Sequence, residues 1–269
     1  MLAPYDTAKQ MDIKEVLAQY ARGEIDAKRA EKLLRLDFIE SVGGHTVFDH
    51  AREGRKGIPE VIFGESKTPT QVAEIVRKVL EDREAVLVSR ATKKHFASVV
   101  ASVGRKGVRY HEQAKVIVVD RRGKRGQRGL IGILAAGTSD VAVAEEARLV
   151  AETMGCKVLT AYDVGVAAFH RFLEPLQRML EADVDALVVV AGMEGALPTI
   201  VSSFSPVPVI GVPTSVGYGM GGKGEAALLA MLQTCSPGLV VVNIDNGIGA
   251  GATAALISLR RREGVGSGE

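Results

Sequence analysis

The apolar positions of this chain of 269 residues fall into two regimes. From Leu130 onward, short runs of Val, Ile and Leu alternate with longer stretches whose apolar residues recur every three or four positions. LIGILAAG precedes a helix over Val141–Met154, CKVLTAY one over Val164–Leu180, and DALVVVAG one over Ala196–Phe204. VPVIGVP then precedes Gly222–Leu232, and LVVVNID precedes Ala250–Arg262. Near-continuous apolar strands are expected where helices cover both faces of a parallel sheet, so the five strand–helix units predict an α/β fold with a doubly wound parallel sheet. The first half is more mixed. Asp12 and Asp26 can each cap a short helix within residues 12–35, with Gly23 stopping the first. An irregular stretch, SVGGHTVFDHAREGRKG, follows. Beyond it the pattern predicts a strand at Glu60–Phe63, a Pro-started helix at Pro69–Leu80, a strand at Ala85–Ser89, a helix near Thr92–Val103 and an apolar run at Lys115–Val119. Together these make a small N-terminal α/β domain. RRGKRGQRG at 121–129 holds five basic residues and three glycines with nothing to bury, the composition of a linker. The expected domains are therefore 1–125 and 126–269.

Composition narrows the class. Hydrophobic residues at 46% and charged residues at 25% exclude a disordered or collagen-like chain. Cys156 and Cys235 give neither a disulfide framework nor a Cys-x-x-Cys pair, which fits a reducing cytoplasm. The opening residues carry no apolar signal core, and no run approaches a membrane span, so neither export nor membrane insertion is expected. Residues 1–129 carry 26 Lys and Arg against 18 Asp and Glu, and the remainder 8 against 14. The basic half can meet an anionic ligand, and Arg52, Arg55 and Lys67 either close over one or form a solvated surface. Aromatic residues at 4%, with no Trp, and interleaved charges do not point to nucleic acid.

In a doubly wound sheet, ligands sit beyond the carboxyl ends of the strands. Those ends hold Gly137-Thr138-Ser139-Asp140, Asp163, Gly192-Met193-Glu194, Ser215-Val216-Gly217-Tyr218-Gly219 and Asn243-Ile244-Asp245-Asn246. Residues 211–251 contain ten of the 30 glycines. Gly137–Asp140 opens a helix, so it either cradles a phosphate on free N–H groups or simply caps that helix. Gly217 to Gly224 nearly spells a nucleotide-binding loop but ends in Gly where a hydroxyl should ligate Mg²⁺, which argues against an NTPase. Glu194 is either a general base or a helix cap. Cys156 reads as a core thiol. Cys235, three residues past a helix, is either a nucleophile or a structural thiol; the negative helix end disfavours its thiolate. The five histidines show no metal-ligand spacing.

AGMEGALPTIVSSFSPVPVIGVP, GTSD and NGIGAGATAALI resemble the phosphoribosylaminoimidazole (AIR) carboxylase and mutase family over roughly residues 130–260. Where those mutases carry Ser-Ala-His-Arg-Thr, this chain reads Thr160-Ala-Tyr162-Asp163, without the histidine. End to end, the chain resembles the LarB family of nickel-pincer nucleotide biosynthesis. The marks are Asp49-His-Ala-Arg52, Arg55 through Gly64, GTSDVAVAEEA, AGMEGALP, PTSVGYG, the Cys235 loop and Val242 through Gly247. That resemblance implies a carboxylase/hydrolase acting on nicotinic acid adenine dinucleotide with CO2 or bicarbonate, without biotin. The implied products are pyridinium-3,5-biscarboxylic acid mononucleotide and AMP. It further implies a nucleophile at Cys235, a base at Glu194 and substrate contacts from the strand-end residues named above, with Mg²⁺ whose ligands are unassigned. An octamer interfacing through the C-terminal helix and apolar faces of the second domain, and downstream sulfurtransferase and nickel-insertion proteins, are also implied. A pyridinium 4 Å from Cys235 would favour its thiolate by about 4 kcal/mol at an effective dielectric of 20, more than the ~0.3–1 kcal/mol of a helix end. The other readings are an AIR carboxylase with altered chemistry, indifferent to Cys235, and a non-catalytic nucleotide-binding protein.

Overall fold

The computed structural model of the protein describes residues 13–30, 39–42, 46–49, 57–123 and 128–265. The chain divides into two compact units, Met1–Lys56 and Gly57–Glu269.

The first unit holds α1 (Ile13–Ala21), a helical turn at 27–30 and an antiparallel pair, β1 (Ile39–Val42) and β2 (Thr46–Asp49). Asp26 caps its turn by accepting from the Arg29 N–H at 2.6 Å, as the sequence suggested. Asp12, Arg52 and Arg55 lie outside the described residues. The β pair corrects the expectation of an irregular stretch at 41–57. Its signal is two runs rich in β-branched and aromatic residues on either side of Gly43-Gly44.

The second unit contains two sheets. The first is mixed, in the order β3-β4-β6-β5, from β3 (Glu60–Phe63), β4 (Ala85–Ser89), β5 (Val108–His111) and β6 (Val116–Asp120). Only the β3–β4 pair is parallel. Two helices, α2 (Pro69–Asp82) and α3 (Lys93–Val103), pack on each other and against this sheet. Each starts with a reciprocal capping box, Thr68 with Gln71 and Thr92 with His95. Strand β5 was not expected. Its four residues Val-Arg-Tyr-His bury Val108 alone, too little for an apolar run to show.

The second sheet is all-parallel, in the order β11-β10-β9-β7-β8, as the apolar runs predicted. Its strands are β7 (Gly129–Ala135), β8 (Cys156–Ala161), β9 (Ala186–Ala191), β10 (Val209–Pro213) and β11 (Leu239–Val241). Helices α4 (Val141–Thr153) and α8 (Gly247–Val265) share a core with Ile131, Ile133, Val188 and Ile210. The opposite face, with Leu134, Leu187, Val189 and Val209, is covered by α5 (His170–Glu181), α6 (Ala196–Phe204) and α7 (Glu225–Leu232). Three starts differ from the expectation. Two helices begin late, after 3-10 turns at Val166–Ala168 and Gly222–Gly224, the latter holding Lys223 at φ 62°. Helix α8 begins three residues early, at Gly247.

Leu87, Val116 and Val118 of the mixed sheet join the α4 core. Helix α4 thus lies between two sheets, and even Glu146 on it is buried. On its other flank α8 approaches closely through two glycines one turn apart. A Cβ at Gly247 would stand 2.2 Å from the Val143 carbonyl oxygen, and one at Gly251 would stand 2.3 Å from that of Ala147. One face of α8, with Ala250, Ala254 and Ala255, is buried within this chain. The exposed large apolar side chains lie elsewhere, among them Phe204, Leu229, Leu232 and Val240. No helix among the described residues is long and apolar enough to cross a membrane.

Candidate functional site

Strand β7 pairs with β8 on one side and β9 on the other, so the chain reverses direction across the sheet there. Loops leaving β7 and β9 diverge to opposite faces and open a crevice at the carboxyl end, the usual place for a ligand in this architecture. A cavity of about 270 Å³ occupies that position, lined by Gly137, Ser139, Gly192, Met193, Glu194 and Val216, among others.

Hydrogen bonds from buried residues shape the rim. Asp140 is buried and accepts from the Gly137 N–H at 2.8 Å through one oxygen and from the Thr214 hydroxyl at 2.7 Å through the other. It ties two strand-end loops together and makes no side-chain cap for α4. Gly192 is required by close approach, since a Cβ there would meet the Val216 carbonyl oxygen at 2.3 Å. That carbonyl accepts the Met193 N–H at 3.0 Å, which fixes the turn presenting Glu194. The cap of α6 is Gly195, at φ 63°, with no side-chain hydrogen bond. Glu194 is therefore no helix cap. It is exposed at the cavity and makes no hydrogen bond or ion pair with the described residues.

Other predicted contacts take assorted roles. Thr138 and Ser139 are exposed on the first turn after β7. The Ser215 N–H donates to Asp245 at 2.8 Å. Gly217 stands against Met193, and Tyr218 and Gly219 continue outward with Tyr218 82% exposed. Asn243 accepts from the Ile244 N–H at 2.9 Å. Asn246 accepts from the Gly249 N–H at 2.8 Å and so acts as the cap of α8. Asp163, at φ 59°, pairs with Arg171 at 2.9 Å. Lys67 donates to the Phe63 carbonyl at 3.0 Å, a local contact. Cys156 is buried, and burial pushes its thiol up, as for a core residue.

The fold does not bring Cys235 to Glu194. Cys235 is exposed in the loop entering β11, pinned by Ser236 Oγ to Ser202 Oγ at 3.1 Å and by the Gly238 carbonyl to the Val209 N–H at 3.0 Å. Val209 begins β10, whereas Glu194 follows the end of β9. The two residues thus lie at opposite ends of the sheet, on either side of a five-residue strand that spans roughly 17 Å at ~3.3 Å per residue. Within one chain, Glu194 is therefore not at hand for Cys235. The loop before a parallel strand lies at the opposite edge from the loop after it.

Two functional candidates, Arg90 and Glu146, escaped the sequence reading. Arg90, just past β4 at φ 52°, donates to the Asp245 carbonyl at 3.2 Å, and its Nε lies 3.7 Å from a Glu146 oxygen. Burial pushes the Glu146 carboxyl up to about 7, opposed by Arg90 and assisted by the charge of Asp245. The available signal was spacing, since Glu146 lies three residues after Val143 and four before Val150 on the apolar stripe of α4. Tyr162, in place of the mutase histidine, donates to Glu145, which also pairs with Arg148 at 2.7 Å. Its hydroxyl is engaged with α4.

No three His, Cys, Asp or Glu side chains among the described residues converge as a metal site. Asp140, the carboxylate lining the cavity beside Glu194, has both oxygens engaged. Magnesium therefore stays an expectation of the resemblance, with no ligand set among the described residues.

Comparison with known proteins agrees with this architecture. A family model described as LarB/PurE-like N-terminal domain matches residues 39–122, and one described as AIR carboxylase matches 130–265. An uncharacterized protein of Methanocaldococcus jannaschii is 40% identical over 254 residues, 92% of this chain and 97% of its own. The N5-carboxyaminoimidazole ribonucleotide mutase of the same organism is 30% identical over 131 residues, 48% of this chain and 76% of its own. That of Pyrococcus horikoshii is 30% identical over 142 residues, 51% and 73%. With its parallel sheet, its strand-end cavity and a LarB/PurE-like domain ahead of them, the chain belongs to the AIR carboxylase family and carries a carboxylase-type enzyme fold.

Proposed function

We propose that the protein carboxylates the pyridinium ring of nicotinic acid adenine dinucleotide and hydrolyses its phosphoanhydride. The products are pyridinium-3,5-biscarboxylic acid mononucleotide and AMP, made for a nickel-pincer cofactor. The observation that carries this reading is the pairing of a LarB/PurE-like domain with an AIR carboxylase domain in one chain. The engagement of Tyr162 with Glu145, where the mutases carry a histidine, weighs against purine chemistry.

The steps follow from the residue types. The Cys235 thiolate adds to the pyridinium and forms a C–S bond, and the ring becomes a neutral enamine. Its carbon attacks CO2, forming the C–C bond and restoring positive charge on nitrogen. Glu194 takes the ring proton, the C–S electron pair returns to sulfur, and aromaticity is regained. Water then splits the phosphoanhydride. The hydroxyls of exposed Thr138 and Ser139, with the N–H groups of that turn other than those of Gly137 and Asp140, suit its anionic oxygens.

Because Glu194 and Cys235 stand at opposite ends of one sheet, the reaction is assembled between copies: one chain supplies the cavity and Glu194, another its Cys235 loop. Exposed Leu229, Leu232 and Val240 around that loop are surface for such an association. The test is turnover with bicarbonate of nicotinic acid adenine dinucleotide in parallel with aminoimidazole ribonucleotide, under the same conditions. AMP release from the dinucleotide alone is expected. Turnover of the ribonucleotide, or of neither, would overturn the assignment.

A further inference from the structure

The sheet of residues 60–120 has no side chain in the cavity, yet it reaches the rim through one residue. Arg90 leaves β4 in a left-handed conformation, and its guanidinium is held between two groups of the parallel-sheet half: the Asp245 carbonyl at 3.2 Å and the buried Glu146 carboxylate at 3.7 Å. Asp245 is itself left-handed, at φ 56°. It is fixed by its N–H to the Pro213 carbonyl at 2.9 Å and by its side chain to the Ser215 N–H at 2.8 Å. The next residue, Val216, lines the cavity, and its carbonyl holds the Met193 N–H beside Glu194. Non-Gly left-handed residues are strained and persist where the surroundings over-determine them. Arg90 and Asp245 are two such residues in direct contact.

We propose that Arg90 is a positioning residue through which the mixed sheet of β3 to β6 holds the Asp245 turn, and with it the Ser215–Val216 side of the cavity next to Glu194. A guanidinium suits this task because it stays charged and spans a carbonyl and a carboxylate at once, which an ammonium does less well. The groups facing Glu146 are Arg90 from the β4 end and Asp245 from the turn before α8. Removing the guanidinium leaves the carbonyl without that donor and the carboxyl without its cation. The consequence for catalysis rests on the reading of the cavity as the substrate site; the mechanical link does not.

The experiment uses the full chain. Arg90→Met and Arg90→Lys are compared with wild type by amide hydrogen exchange followed by mass spectrometry, and by KM and kcat for nicotinic acid adenine dinucleotide. In Arg90→Met, exchange over Met193 and Ser215–Val216 is expected to accelerate roughly tenfold or more, the effect of losing a charged hydrogen bond. Exchange in the cores of β9 and α5 stays unchanged. KM rises severalfold with a smaller change in kcat, and Arg90→Lys recovers part of both losses. Unchanged exchange at Ser215–Val216, or equal loosening throughout the chain, would overturn the proposal. If neither protein turns over the dinucleotide while the local exchange change is present, the substrate assignment fails and the positioning role stands.

Discussion

A mixture of Cys235→Ser and Glu194→Gln chains, assembled together, is expected to recover turnover that neither protein shows alone. On the proposed mechanism each variant removes one essential group, and loss of a general base alone is worth about 10²–10⁴ in rate. Each should therefore fall near background. Within one chain the two side chains are separated by the length of a strand, so a site using both draws them from different copies. Random assortment at a 1:1 ratio then pairs an intact Glu194 with an intact Cys235 in about one quarter of sites, for a cyclic or two-fold interface alike. The measurement is AMP release by co-expressed or co-refolded variants. Recovery to about a quarter of the wild-type rate is the expected result. No recovery, in assemblies shown to contain both chains, would mean that both groups act within one chain or that one of them is dispensable.

The largest stability effect is expected at Asp185, far from the cavity. Its carboxylate is buried where the starts of β7 and β9 meet the end of α8. It accepts from the Leu130 N–H at 2.9 Å, the Ser258 hydroxyl at 2.5 Å, Arg261 at 2.8 Å and Arg262 at 3.0 Å. Asp185→Ala returns the half-exposed arginines toward water but leaves the Leu130 N–H and the Ser258 hydroxyl without their acceptor. Breaking a buried charged network this way costs about 3–5 kcal/mol, or roughly 6–20 °C in Tm for a unit of this size. Burial alone would push this carboxyl up; the Ser258 hydroxyl, the Leu130 N–H and Arg262 outweigh it and hold it below the ordinary range. A depressed carboxylate contributes stability that is complete above its unfolded value of 3.8 and is lost as pH falls through the lower folded value. The gap between wild type and Asp185→Asn in urea unfolding should therefore be wide at pH 7 and narrow below pH 3.8. A gap independent of pH would show that the charge contributes nothing.

The parallel sheet was legible because its strands are buried on both faces, which leaves runs such as Val188-Val189-Val190 with no polar interruption. The strand-end glycines were legible because close approach demands them, as at Gly192. The short pairs were not. β5 buries Val108 alone and so shows no apolar run, and β1 and β2 set polar Glu40, Ser41, Thr46 and Asp49 among their apolar residues. The separation of Cys235 from Glu194 was present in the predicted order, since one follows a strand and the other precedes one, and strand direction alone places them at opposite edges. Arg90 was illegible for another reason. Its partners are a backbone carbonyl and a carboxylate, 155 and 56 residues away, and neither leaves a local motif.

The most direct test of the central claim is to incubate the protein with nicotinic acid adenine dinucleotide and ¹³C-bicarbonate, analyse the products by mass spectrometry and NMR, and run Cys235→Ser in parallel. One labelled carboxylate at the ring position across from the existing one is expected, together with AMP, both absent with the variant. An unlabelled pyridinium, or label that appears equally with Cys235→Ser, would contradict it.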